Sequence, residues 1–503
     1  MRNSDKILAM NIKLSLVSLM ASISLCASAI TVTSTPGNLG SVVGENIGET
    51  SLVVSGEMNA ADFEFVAEKM TSLISLDLSG VSIMAYSGSP VLLGKTDYVA
   101  NSIPAYALAG TKIESIMLPG SLTTIEEGAF SSSKIKSITI PSSVTTIGVG
   151  AFSNCDDLTS VTIPSTVSSL GSHAFVDCDK LATVELGVST ISASAFARCM
   201  SLNSVTALNL IEIGENAFSG CGALEEFAFA SGLKTIGNSS FQASGLKTID
   251  FSASESLDSI GAWAFAQCKS LTSAVMNDKT SKIGEGAFFD DASLVTFNMP
   301  LACTTAPNYI FKGNTSIDTI NVLNHNITSI GDYALMDWKH VTTFTLPSSL
   351  AYIGSNAFEG WTSLSQLNAE GIVNEVPALG ENVWNEVEQV NVTLNVAKDL
   401  ANDFRAADQW KEFTINEVSS VEDILAEEST NRVRAYFVGY DLIVKADSEI
   451  AEVSIYDSSA RQYAVETANG DEVVINTSDW DCHLYIVKVI LADGSVATIK
   501  IAR

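Results

Sequence analysis

Apolar and polar residues follow one short pattern that returns along most of the chain. Residues 147–164, IGVGAFSNCDDLTSVTIP, contain one copy of it. Val161 and Ile163 are apolar and flank Thr162, and this two-residue period is typical of a β-strand with one buried face. Pro164 follows and cannot donate a backbone hydrogen bond, so we expect the strand to end there. The pattern therefore predicts one short strand in each copy.

An Ala-Phe pair, or a large apolar residue in its place, marks the copies and sets their spacing. The successive large residues lie 21 to 26 positions apart, mostly 22 or 23. They are Leu108, Phe130, Phe152, Phe175, Phe196, Phe218, Phe241, Phe265, Phe288, Phe311, Leu335, Phe358 and Trp384. A period this regular predicts a solenoid, in which no unit closes a core alone and neighbouring coils share one. Parallel strands stacked about 4.8 Å apart would give a strand-lined face on the order of 60 Å long.

The most constant run of the repeat resembles a known family. IGENAFSGC (213–221) and IGAWAFAQC (260–268) resemble the hallmark of BspA-type leucine-rich repeats, and the resemblance covers residues 100–384. It implies an α/β solenoid, a leucine-rich repeat array of about 13 units of 22–23 residues. Residues 30–99 resemble the N-terminal cap and first strand unit of that family, and residues 385–418 resemble its C-terminal cap.

The first 29 residues have the three parts of a secretory signal peptide. A positively charged start precedes the apolar stretch 14–25, and residues 27–29, Ala-Ser-Ala, fit an A-x-A cleavage site. We expect the mature chain to begin at Ile30 and to be secreted or held at the cell surface. Cys26 leaves lipidation as a weaker alternative. No other window has the 18 or more apolar residues of a membrane-spanning helix, so no transmembrane segment is expected.

The repeat is lost near the C-terminus. Residues 419–430 are predicted to form an acidic linker, and residues 431–503 to form six or seven short strands of a small all-β sandwich. SIYDSSARQ and LYIVKV in this module resemble the C-terminal sorting domain of type IX secretion cargo, which implies outer-membrane transit and attachment to the outer surface. Cys482 and His483 stand where that family usually has a glycine. An ordinary terminal β-domain is the alternative.

Charge narrows the range of partners. The 503 residues include 57 acidic and 27 basic side chains, which gives a net charge of -30 and an isoelectric point near 4.3. A chain of this charge is repelled by nucleic acid and by anionic membrane surfaces. We therefore expect neither as a partner.

Five cysteines fall three residues after the repeat Phe and should stack in one column. They are Cys155, Cys178, Cys199, Cys221 and Cys268. In an exported protein, neighbours in such a column could form disulfides if their Cα atoms lie 4.4 to 6.8 Å apart. We favour buried thiols in a small apolar slot, because Asn, Gly, Trp and Asp fill the equivalent slot in other units. The column lacks the converging ligands of a zinc site.

The sequence offers no recognisable catalytic centre. Its four histidines, His173, His325, His340 and His483, lie in no nucleophile or HExxH motif, and no dinucleotide or P-loop signature occurs. Cys482 and His483 are neighbours, and neighbours on a strand point to opposite faces. We expect no enzymatic activity and no cofactor.

Several carboxylates are predicted to cluster at one corner of the coil. They are Asp156, Asp157, Asp177, Asp179, Asp290 and Asp291. A calcium-binding ridge is one interpretation and a solvated edge is the other. The second is favoured because the D-x-[DN]-x-[DN]-G loop pattern is missing, so no metal site is predicted.

The outward position at the centre of each predicted strand forms a candidate binding surface, which we call the strand-face ladder. Its members are Thr139, Thr162, Glu185, Thr206, Asp250, Asn298, Asn321, Thr345 and Asn368, with Ala228 and Val275 between them. The ladder is short, polar and mostly uncharged, and it has none of the aromatic anchors of sugar platforms or tight protein interfaces. The insertion at residues 81–103 is the second candidate ligand site.

The resemblance implies a function in adhesion. It predicts an exported cell-surface protein that binds proteins or glycoconjugates on host or neighbouring cells. This step rests on analogy of fold, which does not by itself determine function. A self-associating surface scaffold with no host ligand is the alternative.

Overall fold

The computed structural model describes residues 29–317, 322–418, 433–438, 441–457, 462–477 and 484–502. Most of the predicted signal peptide, all of the predicted acidic linker, Asn321, Cys482 and His483 lie outside these residues.

The chain divides into two compact units. The first is Met1–Leu364 with Pro377–Glu388, and the second is Ser365–Val376 with Gln389–Arg503. Each unit is described by itself below.

Helices in the described residues lie near the two ends of the repeats. The α-helices are Leu39–Val43, Ala60–Lys69 and Ala401–Ala406, and the short 3-10 turns are Asn46–Gly48, Gln389–Asn391, Lys398–Leu400 and Trp410–Glu412. Helix Ala60–Lys69 begins at Asn59, whose side chain accepts from Ala61 N at 3.0 Å, while Asp62 accepts from Asn59 N at 2.8 Å. This capping box satisfies two backbone donors that the first turn would leave unpaired. In the repeats of the first unit, turns rather than helices connect the short strands of each coil.

Each coil of the first unit contributes to one or two series of short strands. The first series is Ile30–Ser34, Ser51–Met58, Ser75–Ile83, Ser115–Met117, Ser137–Ile138, Ser160–Ile163, Thr183–Leu186, Ser204–Thr206, Thr248–Asp250, Ser273–Val275, Thr296–Phe297 and Thr343–Thr345. The second series is Ser102–Ile103, Thr124–Ile125, Thr146–Ile147, Ser169–Leu170, Thr190–Ile191, Glu212–Ile213, Thr235–Ile236, Ser259–Ile260, Lys282–Ile283, Thr305–Ala306, Ser329–Ile330, Tyr352–Ile353 and Ala378–Leu379. A separate hairpin is formed by Tyr86–Val91 and Lys95–Tyr98.

Strands of neighbouring coils pair in parallel, in the register that the repeat predicts. Val161 lies opposite Val184, and Ile163 lies opposite Leu186. All four are buried, whereas Thr162 between them is exposed. The alternation of side chains along a strand therefore places one apolar face of each coil in the shared core.

The repeat Phe residues form the centre of that core. Phe130, Phe152, Phe175 and Phe196 are fully buried, and successive rings stack with centroids 5.0, 5.0 and 5.4 Å apart. Burying one such side chain contributes about 1.5–3 kcal/mol. Because each ring packs on the coil before and after it, the stacking confirms the predicted solenoid of leucine-rich repeats.

A glycine after the second strand allows the coils to approach closely. A Cβ atom built on Gly171 would lie 2.3 Å from the carbonyl carbon of Gly148 in the preceding coil. No side chain fits at that distance, so the packing of this coil on the preceding one requires a glycine at position 171.

The second unit contains two sheets in its described residues. Gln366–Ala369, Thr393–Ala397 and Thr414–Val418 pair in parallel. The other sheet is antiparallel and consists of Val433–Val438, Asp441–Asp457, Gln462–Asn476, Leu484–Leu491 and Val496–Ala502.

The long strand Asp441–Asp457 organises the antiparallel sheet. Its first part pairs with Val433–Val438 and its later part with Leu484–Leu491, and the register shifts between Lys445 and Ile450. Both parts supply residues to one core that includes Val444, Val453 and Tyr485. This confirms a small β-domain, although with five described strands rather than six or seven. The expected count was higher because residues 441–446 and 451–457 lie on one strand, Asp441–Asp457, and residues 462–468 and 471–476 lie on another, Gln462–Asn476.

Candidate functional sites

The predicted ladder lies on the outer face of the first strand series. Thr139, Thr162, Glu185, Thr206, Asp250, Asn298 and Thr345 are exposed, Asn368 is half-buried, and Asn321 lies outside the described residues. In the register, Thr162 is opposite Glu185, which is opposite Thr206. The structure thus brings these three side chains onto one surface.

Several ladder side chains form hydrogen bonds with their neighbours. Thr162 Oγ1 donates to Glu185 Oε2 at 3.2 Å, and Asp250 Oδ1 accepts from Ser252 N at 2.8 Å. The hydrogen bonds to Ser252 hold the pKa of the Asp250 carboxyl below its ordinary value. One member was missed by sequence reasoning. Met117 is 58% exposed and, because Ile116 is opposite Ile138, it continues the ladder beside Thr139.

Within the second unit, an asparagine row occupies the central outward position of the parallel strands. Asn395 Nδ2 donates to Asn368 Oδ1, and Asn416 Nδ2 donates to Asn395 Oδ1, both at 2.8 Å. Gln366 Nε2 donates to Asn368 Oδ1 at 2.8 Å as well. The alternation of apolar and polar residues in TLNVA (393–397) and TINEV (414–418) indicates strands with Asn395 and Asn416 on the outward face, so the sequence could have predicted both. These amides are partly engaged with each other.

The insertion at residues 81–103 is a hairpin packed on the N-terminal cap. Tyr98 is buried, and its hydroxyl lies 2.8 Å from Val91 O and 2.5 Å from Leu92 O. Glu64, on helix Ala60–Lys69, accepts from Leu92 N at 2.9 Å. The tip residue Leu93 is 71% exposed. The insertion therefore exposes Leu93 at the tip of a hairpin whose base packs on helix Ala60–Lys69.

The five predicted cysteines form one buried column with free thiols. Each thiol donates to the carbonyl oxygen of the repeat Phe in the preceding coil, as Cys155 does to Phe130 and Cys199 does to Phe175, both at 3.1 Å. Burial raises the pKa of Cys155 to about 12, and Cys178 adds to the effect. The sixth described cysteine, Cys303, is also buried and free.

Most carboxylates of the predicted acidic corner are paired with cations. Asp157 Oδ1 accepts from Lys180 Nζ at 2.7 Å, and Asp177 Oδ1 accepts from Arg198 Nε at 2.6 Å. Asp290 forms an ion pair with Lys269 at 2.5 Å. Among the described residues, no group of three or more His, Cys, Asp or Glu side chains has a geometry that could hold a metal ion.

Asp291 corrects the expectation of a solvated edge. It is fully buried, because it is the residue three places after Phe288 and occupies the cysteine slot of its coil. Asp291 Oδ1 accepts from Cys268 N at 2.7 Å. Burial raises the pKa of the Asp291 carboxyl well above its ordinary value.

A row of aromatic residues was missed by sequence reasoning. The position two residues before each repeat Phe has positive φ in every described coil, from 51° at Ser239 to 59° at His173. Four coils place an aromatic residue there, namely Tyr106, Trp263, Tyr309 and Tyr333. The signal was visible as PAYAL, GAWAF, PNYIF and GDYAL.

The last three of these residues lie in nearby coils and contact one another. Tyr309 and Tyr333 stack with centroids 5.0 Å apart, and Trp263 lies 6.1 Å from Tyr309. Phe289 contacts Trp263 edge-on at 5.3 Å. All four rings are partly exposed. We call Trp263, Phe289, Tyr309 and Tyr333 the aromatic stripe.

Two parallel strand series, a stacked Phe column and a buried slot three residues beyond it define the repeats as a leucine-rich-repeat solenoid. The family model described as BspA type leucine rich repeat region matches residues 101–210, 189–318 and 304–425. The chain belongs to the BspA-type leucine-rich repeat family. Proteins of this family and fold are typically non-enzymatic interaction scaffolds.

One solved structure agrees with this fold, and a second is a more distant structural neighbour. A leucine-rich repeat protein from Bacteroides ovatus is 23% identical over 79% of this chain and 94% of its own, with a TM-score of 0.56. A leucine rich cell surface protein from Faecalibacterium prausnitzii is 23% identical over 56% of this chain and 86% of its own, with a TM-score of 0.29. No curated protein sequence matches the chain. Among the described residues, no helix has the length and apolar character that crossing a membrane requires.

Proposed function

We propose that the protein is an exported, non-enzymatic cell-surface protein that binds proteins or glycoconjugates on host or neighbouring cells. The observation that carries the proposal is the strand-face ladder, a row of exposed and mostly uncharged side chains on a rigid scaffold. Thr162, Glu185 and Thr206 are adjacent in register and have few internal partners, so they are available to a ligand. Such contacts are weak singly and add up along the face.

The proposal includes the route to the surface. The predicted signal peptide directs export with a mature start at Ile30, and residues 431–503 act as a sorting-like module that attaches the chain to the outer surface. Mass spectrometry of protein recovered from the producing cell tests the first point. Deleting residues 431–503 and fractionating cells tests the second, and unchanged surface display after that deletion would overturn the attachment role.

Binding is tested with the chain from Ile30 to Arg503 against immobilised matrix proteins, mucins and whole neighbouring cells. Thr162→Arg places a long cation in the middle of the ladder, whereas Ser165→Arg adds the same charge to an exposed turn of the same coil. We expect saturable binding that Thr162→Arg weakens at least tenfold and Ser165→Arg leaves unchanged. Equal effects of the two variants, or no saturable binding by a folded chain, would refute the ladder as the binding surface.

Self-association is the second candidate. The observation that favours it is the low charge of the ladder, since two such faces meet with little charge repulsion apart from that of Glu185 and Asp250. Light scattering that shows concentration-dependent oligomers, lost in Thr162→Arg and kept in Ser165→Arg, would favour a surface scaffold over an adhesin.

A further inference from the structure

The aromatic stripe occupies a backbone position where aromatic residues are costly. The φ angles of Trp263, Tyr309 and Tyr333 are 58°, 57° and 56°, in the left-handed region that Gly and Asn tolerate best. Other coils use those residues at the same place, for example Gly150 and Asn216. Strained residues of this kind cluster at sites where the side chain has a use. The side chains of the stripe are therefore the feature to explain.

Trp263 is held as a platform by a glycine in the next coil. A Cβ atom built on Gly286 would lie 2.4 Å from two carbons of the indole ring, so the ring rests on the backbone there. One ring face lies against Gly286, which turns the other face away from that backbone. Phe289, at 72° to the indole, forms a side wall. The platform is rigid before any ligand arrives, which lowers the entropy lost on binding.

Lys312 adds a cation to the stripe. Its Nζ lies 5.7 Å from the centroid of Tyr309 and 5.2 Å from that of Tyr333. Among the described residues, no carboxylate oxygen lies within 4.0 Å of Lys312 Nζ, the distance that defines a salt bridge. Its N–H groups thus remain able to donate hydrogen bonds beside the two tyrosine rings.

The local charge limits what the stripe can bind. Partial burial raises the pKa of Tyr309, and the negative charges of Glu285 and Asp332 raise it further. Two carboxylates near one ammonium, in a chain of net charge -30, disfavour an anionic ligand. An uncharged ligand meets no such barrier.

We propose that the aromatic stripe binds a neutral polysaccharide. Its sugar rings would pack their C–H faces on Trp263 and on the Tyr309–Tyr333 pair, and its hydroxyls would bond to the phenols and to Lys312. A polysaccharide fits because its apolar faces and hydroxyl edges repeat along the chain, as the rings repeat from coil to coil. Aromatic rings with a wet polar tip are suited to such mixed contacts. The stripe is a different column from the strand-face ladder, so the proposal stands whether or not the ladder binds a protein.

The test uses the chain from Ile30 to Arg503 and soluble neutral polysaccharides: mixed-linkage β-glucan, xyloglucan, mannan, xylan and amylose. Trp263→Asn and Tyr309→Asn remove two rings, and both are expected to fold because Asn216 and Asn356 occupy the same column at φ of 54° and 55°. Tyr106→Asn is the matched control, since Tyr106 also rests on a glycine, Gly128, but the next two coils place Gly128 and Gly150 in the column and so add no aromatic ring beside it. Circular dichroism verifies folding.

We expect at least one neutral polysaccharide to bind, measured by affinity electrophoresis and calorimetry. The chain that carries both Trp263→Asn and Tyr309→Asn, called the double variant, should bind at least tenfold more weakly than the wild type. Lys312→Gln should bind a few-fold more weakly, and Tyr106→Asn should bind as tightly as the wild type. Tryptophan emission should shift on binding and lose that shift in Trp263→Asn. Trp338, Trp361, Trp384 and Trp410 are buried, and Trp480 lies outside the described residues, so the comparison of wild type with Trp263→Asn assigns the shift.

Three results would overturn the proposal. They are no binding of any neutral polysaccharide, full binding by the double variant, or binding of acidic polysaccharides such as hyaluronan alone. Loss of polysaccharide binding in Thr162→Arg, with the double variant unaffected, would assign the glycan to the ladder instead. If the double variant loses polysaccharide binding but keeps matrix-protein binding, the aromatic stripe and the proposed adhesive face are separate sites.

Discussion

The indole Nε1 of Trp338 donates a 3.0 Å hydrogen bond to the carbonyl oxygen of Phe311, in the same way that the thiol of Cys178 donates to that of Phe152 at 3.1 Å. Trp361 repeats the bond to Leu335 at 2.7 Å. In the coils with Cys or Trp in the slot three residues after the repeat Phe, the slot therefore supplies a hydrogen-bond donor to the preceding coil, and sulfur is one way to supply it.

Cys199 tests this role of the slot. Its thiol donates to Phe175 O at 3.1 Å, and both residues are fully buried. Cys199→Val keeps an apolar side chain but leaves that carbonyl without its donor, so we expect a loss of about 1–3 kcal/mol. Cys199→Ser keeps a donor and should lose less. Urea unfolding of the three chains measures the difference, and a valine variant as stable as the serine variant would contradict the donor role.

The same burial predicts thiols of low reactivity. The pKa of Cys221 is raised to about 12 and that of Cys303 to about 11, in both cases by burial, so very little thiolate exists at pH 8. We expect iodoacetamide to modify the six described cysteines slowly in the native chain and fully in urea, as read by mass spectrometry. Rapid native alkylation of Cys221, or a disulfide between column neighbours, would show that the column opens.

The Phe column predicts that damage spreads along the solenoid. Phe218 is fully buried and stacks on Phe196 and Phe241 at 5.6 and 5.3 Å. We expect Phe218→Ala to cost about 3–5 kcal/mol. Since each coil is stabilised by its neighbours, exchange of amide hydrogens should speed up in the coils on both sides. Leu208→Ala is the control, because Leu208 is 77% exposed. If amide exchange in the coils on both sides of Phe218→Ala stayed as slow as in the wild type, the coils would fold independently of one another.

How much the sequence could predict depended on whether a feature repeats. The columns of Phe152 and Cys155 recur with the period, and their burial follows from the need of each coil to share a core. The aromatic stripe at Trp263 was missed because hydrophobic periodicity does not report left-handed backbone angles. The aromatic residues are visible in the sequence, but the shared backbone position that aligns them is not. The packing of Tyr98 on its own hairpin is a tertiary contact that no repeat encodes.

Asp291 shows a conflict between two signals in the sequence. Its neighbour Asp290 suggested a solvated acidic edge, while its distance from Phe288 placed it in the buried slot. The repeat register decides the outcome because the buried slot lies at a fixed position in every coil. Composition within a short window is the weaker guide in a solenoid.

Burial of Asp291 leads to a pH prediction. Its Oδ2 atom is buried and has no hydrogen-bond partner in the described structure, and its pKa is raised by burial, with the Asp290 charge adding to the rise and Lys269 and the bond from Cys268 N opposing it. The folded chain therefore holds this proton more tightly than the unfolded chain, whose carboxyl has the ordinary pKa of 3.8. The contribution of Asp291 to stability is complete below that pH and is lost as the pH rises through the folded-state pKa.

Asp291→Asn removes the ionisable group and keeps the size and the acceptor for Cys268 N. We expect the variant to be more stable than the wild type at pH 7, because the amide is neutral at every pH, whereas the wild-type carboxyl ionises more easily in the unfolded chain and so favours unfolding at that pH. The gap should close as the pH falls toward 4, where the wild-type carboxyl is protonated. Asp290→Asn is the control, because its ion pair with Lys269 is at the surface and worth at most about 1 kcal/mol. Urea unfolding at pH 4.5 and pH 7 measures both variants, and a gap that widens on acidification would show that Asp291 is ionised and stabilised by a charge rather than neutral in the folded chain.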